Sequence, residues 1–257
     1  MCNLKQYRTV LIIGVGFFLM LTACRTTDEL TAVEEMERAA ITADELALFV
    51  PDYREELLTL SGSGRAIVSE PGNSDRVTLQ FQSNRNESLI NVRTSAGIEG
   101  GQIFVDSDSL LIYNRVDRIA EKVPLHQGKL SSVGSIASVN MIDLFNFTLE
   151  TNEIEEIYED SHSYVAVLHN RAMVTISKIS GLIQEVVHAN TNQQAPYSRI
   201  EYEGYAEIEQ FQLPRRITVI SSDGRSRATL LVQSLEINVT LPELGIDLPD
   251  DIPVYRL

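Results

Sequence analysis

Beyond position 24 this 257-residue chain has no cysteine; its two, Cys2 and Cys24, lie near the start. The rest of the chain therefore has no disulfide framework of the kind that staples small secreted domains, and its stability must come from a hydrophobic core. An apolar content of 44% is ordinary for that. Basic residues are scarce as well, 21 Lys and Arg against 36 Asp and Glu, a net charge of −15. Such a surface repels phosphate backbones and anionic headgroups, which argues against nucleic acid as a partner and against a basic patch as the means of holding a membrane. Long apolar runs are missing too. The longest, Val10–Leu21, ends after twelve residues, short of the roughly 20 that span a bilayer.

The motifs of common chemistry are equally thin. Four histidines are present, His126, His162, His169 and His188, and none has the HExxH spacing that puts two ligands on one helix face. His162 and His169 have opposite parity, so one regular strand would point them to opposite faces. They read as surface or core histidines, not ligands. Ser61-Gly62-Ser63-Gly64 lacks the nucleophile elbow G-x-S-x-G and reads as a loop after a helix. Asp106-Ser107-Asp108 opens like a calcium loop without the later Gly and Glu. The acidic run Glu153–Asp160 alternates with Ile154 and Tyr158 and reads as a solvated strand edge. Asn86, Asn146 and Asn238 each begin a glycosylation sequon, a tripeptide short enough to match by chance. No catalytic residue, metal or cofactor is expected, and the protein reads as a non-enzyme.

What is present begins at the start. Met1–Thr9 carries Lys5 and Arg8, the apolar run follows, and then Leu21-Thr22-Ala23-Cys24. This is the three-part plan of a secretory signal peptide. A transmembrane helix, a core helix or a signal cleaved without lipidation are the alternatives. The first is too short, the second does not suit a basic N-terminus, and the third needs no Cys after the small residues. The four residues resemble the bacterial lipobox. That resemblance implies cleavage between Ala23 and Cys24, a diacylglyceryl thioether on Cys24 and acylation of the new amine. Removing residues 1–23 leaves 234 residues and takes away Lys5 and Arg8, so the net charge falls from −15 to −17. One acyl chain holds a protein only marginally, whereas several hold it almost permanently. Arg25 is not the Asp that retains some bacterial lipoproteins at the inner membrane, which favours the outer one, with the periplasmic face preferred over the surface.

Residues 24–41 read as a tether and acidic linker, with Asp28–Ala40 near a helical period. Thr42 and Glu45 have the spacing of a capping box ahead of Leu46, Leu48, Phe49 and Val50; Pro51 interrupts, and Asp52–Leu60 resumes a helix. The period then changes to two. Strands are predicted at Arg76–Gln82, Leu89–Arg93, Gln102–Asp106, Leu110–Val116 and Arg118–Val123. Turns at Pro71-Gly72-Asn73, Asn84-Arg85-Asn86, Gly100-Gly101 and Asp106-Ser107-Asp108 separate them. Ser131–Phe147 reads as a short helix inserted in the sheet. Strands resume at Ile154–Glu159, Tyr164–His169, Ala172–Ile179, Leu182–Ala189, Arg199–Glu209, Arg216–Ser221 and Arg227–Val239. In the run from 199 to 209, Ile200, Tyr202, Gly204, Ala206 and Ile208 share a dry face against a wet face of glutamates. The tail Leu241–Leu257, with three prolines and four acids, reads as coil. No fixed-spacing repeat is visible. The fold class is mainly β, a strongly curved antiparallel sheet or unclosed β-barrel over residues 42–257, with helices packed on the concave side.

One stretch resembles a known family. Gly97-Ile98-Glu99, the strand Ile103–Val105, Asp108-Ser109 before a strand and Asn114-Arg115 at its end are similar to an uncharacterised bacterial lipoprotein family of the LolA/LolB-like superfamily. The run Ile200–Ile220, with Leu213-Pro214 before a strand, is similar to that superfamily too. The resemblance implies a half-barrel with an apolar cavity that shields acyl chains during transfer to the outer membrane. Its outer-membrane receptor projects an apolar residue from an early loop. Ile98 sits in a comparable turn, but it is not that residue and is read as folding back onto the core. The expected function is therefore an outer-membrane-anchored lipoprotein that binds a hydrophobic ligand, an acyl chain or another lipoprotein's lipid, without catalysis. Inward positions Val77, Leu79, Phe81, Ile200, Tyr202 and Ile208 would line the cavity, although a filled core would use the same residues. A structural or assembly subunit of an envelope complex, without ligand, is the alternative; an envelope hydrolase lacks a nucleophile–base pair.

Metabolic labelling with an alkyne-bearing palmitate should tag the wild-type chain and leave Cys24→Ser untagged and uncleaved. An unmodified thiol at Cys24 in protein from its native host would overturn the anchor.

Overall fold

The computed structural model describes residues 36–125, 137–188 and 197–256, and Arg38–Leu257 belong to one compact unit. Ala23, Cys24, His126 and residues 131–136 of the inserted helix lie outside the described residues, as does most of the predicted Asp28–Ala40 helix. The described end of that helix is extended instead. Glu37–Arg38 form a two-residue strand, β1, and the Ala39 N–H donates to the Ile157 carbonyl at 2.9 Å. An open strand edge offers backbone partners that outweigh helix-favouring composition.

The capping box forms as its spacing predicts. Thr42 Oγ1 accepts the Glu45 N–H at 3.3 Å, and the Glu45 carboxylate accepts the Thr42 N–H at 2.9 Å. Helix α1 (Ala43–Phe49) follows, with Leu46 buried. No helix resumes after Pro51. The Asp52 side chain accepts the Arg54 N–H at 2.9 Å, an Asx turn that competes with helix, and the chain enters a strand at Thr59 with Leu57 and Leu60 buried.

Strands β2 (Thr59–Glu70) and β3 (Asn73–Asn84) form a hairpin across Pro71-Gly72, where Gly72 takes φ +83°. The meander continues through β4 (Ser88–Thr94), β5 (Glu99–Val105), β6 (Ser109–Asn114) and β7 (Ile119–Pro124). Helix α2 (Met141–Phe145) interrupts it. A second meander runs through β8 (Ile154–Glu159), β9 (Ser163–Leu168), β10 (Ala172–Ser177), β11 (Ile183–His188) and β12 (Tyr197–Glu203). A short hairpin, β13 (Ala206–Ile208) with β14 (Phe211–Leu213), precedes β15 (Arg216–Ser221) and β16 (Arg227–Ile237). With β17 (Val254–Arg256), the order in the large sheet is β1-β8-β9-β10-β11-β12-β15-β16-β2-β3-β4-β5-β6-β7-β17. The sheet is curved and not closed into a barrel. Among the described residues no helix is long and apolar enough to cross a membrane.

One face is dry. Val174, Val186, Ile200 and Val219 stand opposite one another across four strands, as do Tyr202, Ile217, Leu230 and Ala66, and all eight are buried. Leu46 and Val50 from the α1 segment and Met141, Ile142, Leu144 and Phe145 from α2 pack into the same cluster, so both helices fill the concave side. The other face of β11, β12 and β15 carries Glu185, Glu201 and Thr218 in register.

Several expectations are corrected. Ser61–Gly64 is not a loop but the middle of β2. Its glycines are there for contact: a Cβ on Gly62 would lie 2.6 Å from the Ser234 carbonyl oxygen and 2.7 Å from the Phe81 ring. Gly100-Gly101 lies within β5, and the turn falls earlier, where Gly97 takes φ +79°. Ile98 in that turn does not fold back; it is 61% exposed. The predicted strand 199–209 breaks at Gly204, φ +64°. The β13–β14 hairpin beyond it forms a separate sheet that buries Phe211 and Leu213. The tail is coil only as far as Pro253, after which β17 pairs with β7 in parallel. Ile252 packs on Tyr113 and Ala120.

Gly62→Ala should lower stability by about 1–3 kcal/mol, because the new methyl meets backbone and an aromatic ring. Gly100→Ala, whose Cβ would be 3.5 Å from its nearest neighbour, should be neutral or up to about 1 kcal/mol stabilising. Urea midpoints of the two variants check the contrast, and equal effects would refute it.

Candidate ligand cavity on the concave face

A cavity of about 630 Å³ lies on the concave side between the two halves of the sheet, within the ordinary size range of small-molecule pockets. The first meander contributes the β3–β4 turn (Arg85, Asn86), the β5–β6 turn (Asp106, Ser107) and Leu125. The second contributes Asn170, His188 at the end of β11, Tyr197 at the start of β12, and Ile200. The α2 segment lies between them with Val139, Asn140, Asp143, Asn146 and Phe147. Asn86, Ser107 and Asn170 are exposed at the rim, whereas Val105, Asn146 and Ile200 are buried at the floor.

The α2 wall is pinned by polar side chains. Asn140 caps the helix, its Oδ1 accepting the Ile142 N–H at 2.8 Å and the Ser83 hydroxyl at 3.1 Å, while its Nδ2 donates to the Asn84 carbonyl at 3.1 Å. Ser88 Oγ accepts the Met141 N–H at 2.9 Å and lies 2.7 Å from Ser83 Oγ. Buried serines thus replace the partners that the helix start lacks.

The charges are arranged unevenly. Burial pushes the Asp106 carboxyl up, but N–H donation from Asp108 and Ser109 outweighs this and holds it below the usual range. Asp143 is open to the cavity, yet the surrounding protein under-hydrates its charge and raises its pKa, with Arg85 opposing the shift. Burial lowers the Arg85 guanidinium; its Nη2 donates to the Tyr53 carbonyl at 2.8 Å. Burial also lowers His188, whose ring meets Tyr197 edge-on at 4.9 Å. Tyr197 is pushed up to about 12 by burial and by the Asp143 charge. Arg85 Nε, His188 Nδ1 and Asn146 Nδ2 are buried without a hydrogen-bond partner, as is Tyr202 Oη. Asn146 and Tyr202 also border a separate void of about 20 Å³, the size of one water.

Of the residues expected to line a cavity, Ile200 does so. Tyr202 borders the small void, and Phe81 packs against Phe145 with ring centroids 5.7 Å apart. Leu79 and Ile208 are partly buried against the core, and Val77 is half-buried. Sequence reasoning missed Arg85, Asp143 and Tyr197 and read His188 as an ordinary surface or core residue. Arg85, His188 and Tyr197 share only a position at a turn or a strand end, and Asp143 sits in a short helix. Among the described residues no three His, Cys, Asp or Glu gather to hold a metal.

No protein-family model and no curated protein matches this chain. Solved structures match its fold. A DUF1329 family protein from Desulfovibrio piger superposes with a TM-score of 0.54 at 12% identity, over 78% of this chain and 92% of the other. A LolA superfamily protein from Nitrosomonas europaea gives 0.52 at 11%, over 79% and 96%. A candidate outer membrane lipoprotein-sorting protein domain from Vibrio parahaemolyticus gives 0.53 at 11%, over 78% and 92%. The fold is therefore LolA-like.

Asp143 generates a pH test. With its folded pKa above the unfolded value near 3.8, the ionised form costs stability above the folded pKa and nothing below the unfolded one. Asp143→Asn should therefore raise the melting temperature at pH 7.5, by a gain that shrinks as the pH falls through the raised folded pKa and vanishes below the unfolded value. Calorimetry across that range checks it; a gain independent of pH would refute the cause.

Proposed function

We propose that this protein is a lipid-anchored lipoprotein of the bacterial outer membrane, facing the periplasm, that shields a hydrophobic ligand on its concave face without catalysing a reaction. In this reading residues 1–23 are the signal, residues 24–41 the tether and residues 42–257 the binding domain. Cys24 carries the anchor. The observation that carries the proposal is the 630 Å³ cavity, with a polar rim and a floor where Val105 and Ile200 lie beside Asn146, walled by a LolA-like sheet. Two of the similar structures bear names that speak of the LolA superfamily and of lipoprotein sorting, which agrees with the reading.

Shielding is a physical task that needs no reacting groups. A sixteen-carbon chain costs on the order of 12 kcal/mol to expose to water. A carrier must offset most of that while binding no more tightly than the membrane that receives the chain. A floor of Val105 and Ile200 beside Asn146, inside a polar rim, suits that balance, because its apolar lining is limited.

The second reading, an assembly subunit without ligand, draws on a different surface. Leu48 on α1 is 87% exposed in an open groove of about 820 Å³, where Val50, Pro51 and Leu149 lie among Asp44, Asp52, Arg54 and Glu150. Exposed apolar surface of this kind fits protein contact.

Native mass spectrometry of the full lipid-modified chain separates the two. The carrier reading expects one acyl-bearing molecule per chain beyond the covalent anchor, reduced in Val139→Trp, whose larger side chain narrows the cavity. A chain without such a molecule that instead co-purifies with a stoichiometric protein partner would overturn it in favour of the assembly subunit.

A further inference from the structure

A second depression lies on the opposite face of the sheet, turned away from the core. Phe81 and Ile90 stand opposite one another on β3 and β4 and are buried in the core cluster. Side chains alternate along a strand, so their neighbours Gln80 and Asn91 point the other way, and Gln102 follows them in register on β5. The next member of that row is Tyr113 on β6, which Ile252 of the tail covers. The uncovered part of the row lines a pocket of about 240 Å³.

A bulge supplies the other wall. Val92 stands opposite Gly101 but Arg93 opposite Glu99, so Gly100 has no opposite residue on β4. An extra residue of this kind bends its strand and re-aims the side chains beside it. The Gly100 carbonyl accepts the Arg115 N–H at 3.0 Å, and the Arg115 guanidinium lies 5.9 Å from the centre of the Tyr113 ring. Arg93, Glu99 and Arg115 thereby join the three amides around the pocket. Arg115 hydrogen-bonds Glu99, whereas Arg93 Nη2 is 3.7 Å away from it, within reach of its charge but too far for a hydrogen bond. The Arg93 and Arg115 side chains are 45% and 42% exposed, so a ligand from solvent can meet both.

These groups ask for a ligand of mixed chemistry. Each guanidinium offers five donors in a plane that matches a carboxylate, and the single Glu99 carboxylate occupies few of the ten. Among the described lining residues two positive charges face one negative; a carboxylate balances them, and a phosphate dianion overshoots. The amides both donate and accept. Gln102 Nε2 donates to Asn91 Oδ1 at 2.8 Å, which orients the pair and leaves the Asn91 amino group and the Gln102 carbonyl for a ligand. Hydroxyls, which also donate and accept, suit such a row. The volume is below the roughly 300–1,000 Å³ of drug-sized pockets, which limits the occupant to about one ring.

We infer that this outer face binds an acidic saccharide, a sugar residue whose carboxylate is taken by Arg93 and Arg115 and whose hydroxyls meet Gln80, Asn91 and Gln102. The site is separate from the concave cavity and does not rest on the carrier reading.

The test titrates the full lipid-modified chain in phosphatidylcholine nanodiscs by saturation-transfer NMR, with empty nanodiscs as the blank. Methyl glucuronide, methyl glucoside and acetate are compared at pH 7.5 in about 0.15 M salt, which screens the rest of the acidic surface. The glucuronide should bind about tenfold more tightly than the glucoside, which lacks the carboxylate, and than acetate, which lacks the hydroxyls. Arg93→Met should weaken the glucuronide about tenfold and Asn91→Ala about fivefold, while Val139→Trp in the concave cavity leaves it unchanged. If a variant melts early, the three probes on the wild-type chain decide. Absence of glucuronide binding, or binding no tighter than that of the glucoside, would overturn the inference. So would acetate bound as tightly as the glucuronide, the mark of a plain anion site, or a glucuronide affinity unmoved by both Arg93→Met and Asn91→Ala. Each of those results leaves the carrier reading as it stands.

Discussion

The backbone ladder between β16 and β2 joins the last long strand to the first, and the cavity depends on it. It runs from Arg227 opposite Ser69 to Ile237 opposite Leu60, with one bulge between Val232 and Ser234. On one side hangs the β2–β7 meander, on the other the β8–β12 meander with β15. Because the cavity takes its walls from both halves, separating β16 from β2 would separate the walls. The seam is fitted at close range. Gly62 and Gly64 leave room for the backbone of β16, and Gly62 also admits the Phe81 ring. Asn238, at φ +54°, fastens the far end: its Oδ1 accepts the Leu58 N–H at 2.9 Å and its Nδ2 donates to the Glu56 carbonyl at 2.8 Å. The price of such a long-range closure is loop entropy, which the chain must overcome before the ladder contributes.

An unclosed sheet also has a concave side to fill. Two short helices and the β13–β14 hairpin do this, with Phe211 against Tyr53 at 5.0 Å and the Tyr205 hydroxyl donating to the Ile183 carbonyl at 2.7 Å. The filling is apolar around α1 and turns polar around α2, where Asn140, Asp143 and Asn146 share a short segment with buried Met141, Ile142, Leu144 and Phe145. The cavity lies on the polar side of that segment. Outside, the charges pair among themselves, as in Arg199–Glu185 at 3.2 Å and Arg216–Glu203 at 3.0 Å. Such surface pairs add little stability, so the acidic surplus matters for solubility and for which partners are repelled.

Local chemistry was readable wherever one residue's side chain dictates its neighbour's backbone. Thr42 and Glu45 cap α1 as their spacing requires, Pro71-Gly72 turns the first hairpin, and the strand Ile154–Glu159 appears with those bounds. Alternation identified the dry face that holds Ile200 and Tyr202. Glycine misled in three places for one reason. Its missing Cβ serves a turn, a break or a close approach equally well, and only the neighbours decide: Gly62 and Gly101 meet another strand's backbone, while Gly204 breaks one. Asp52–Leu60 misled because apolar residues near a helical spacing can also enter a sheet from a turn.

What the sequence by itself determined is the capped helix α1, most of the strands between Arg76 and Ile237, and the dry side they share, because periodicity and capping act over a few residues. The segment that resembles a lipobox is likewise a local signal, although Cys24 lies outside the described residues. Only the tertiary structure decided that Arg85, Asp143, His188 and Tyr197 share one cavity. They come from a hairpin turn, a helix and two strand ends separated by up to 112 positions in the chain. They are brought together by the curvature of a sheet whose first and last long strands pair, and no local pattern encodes that distance.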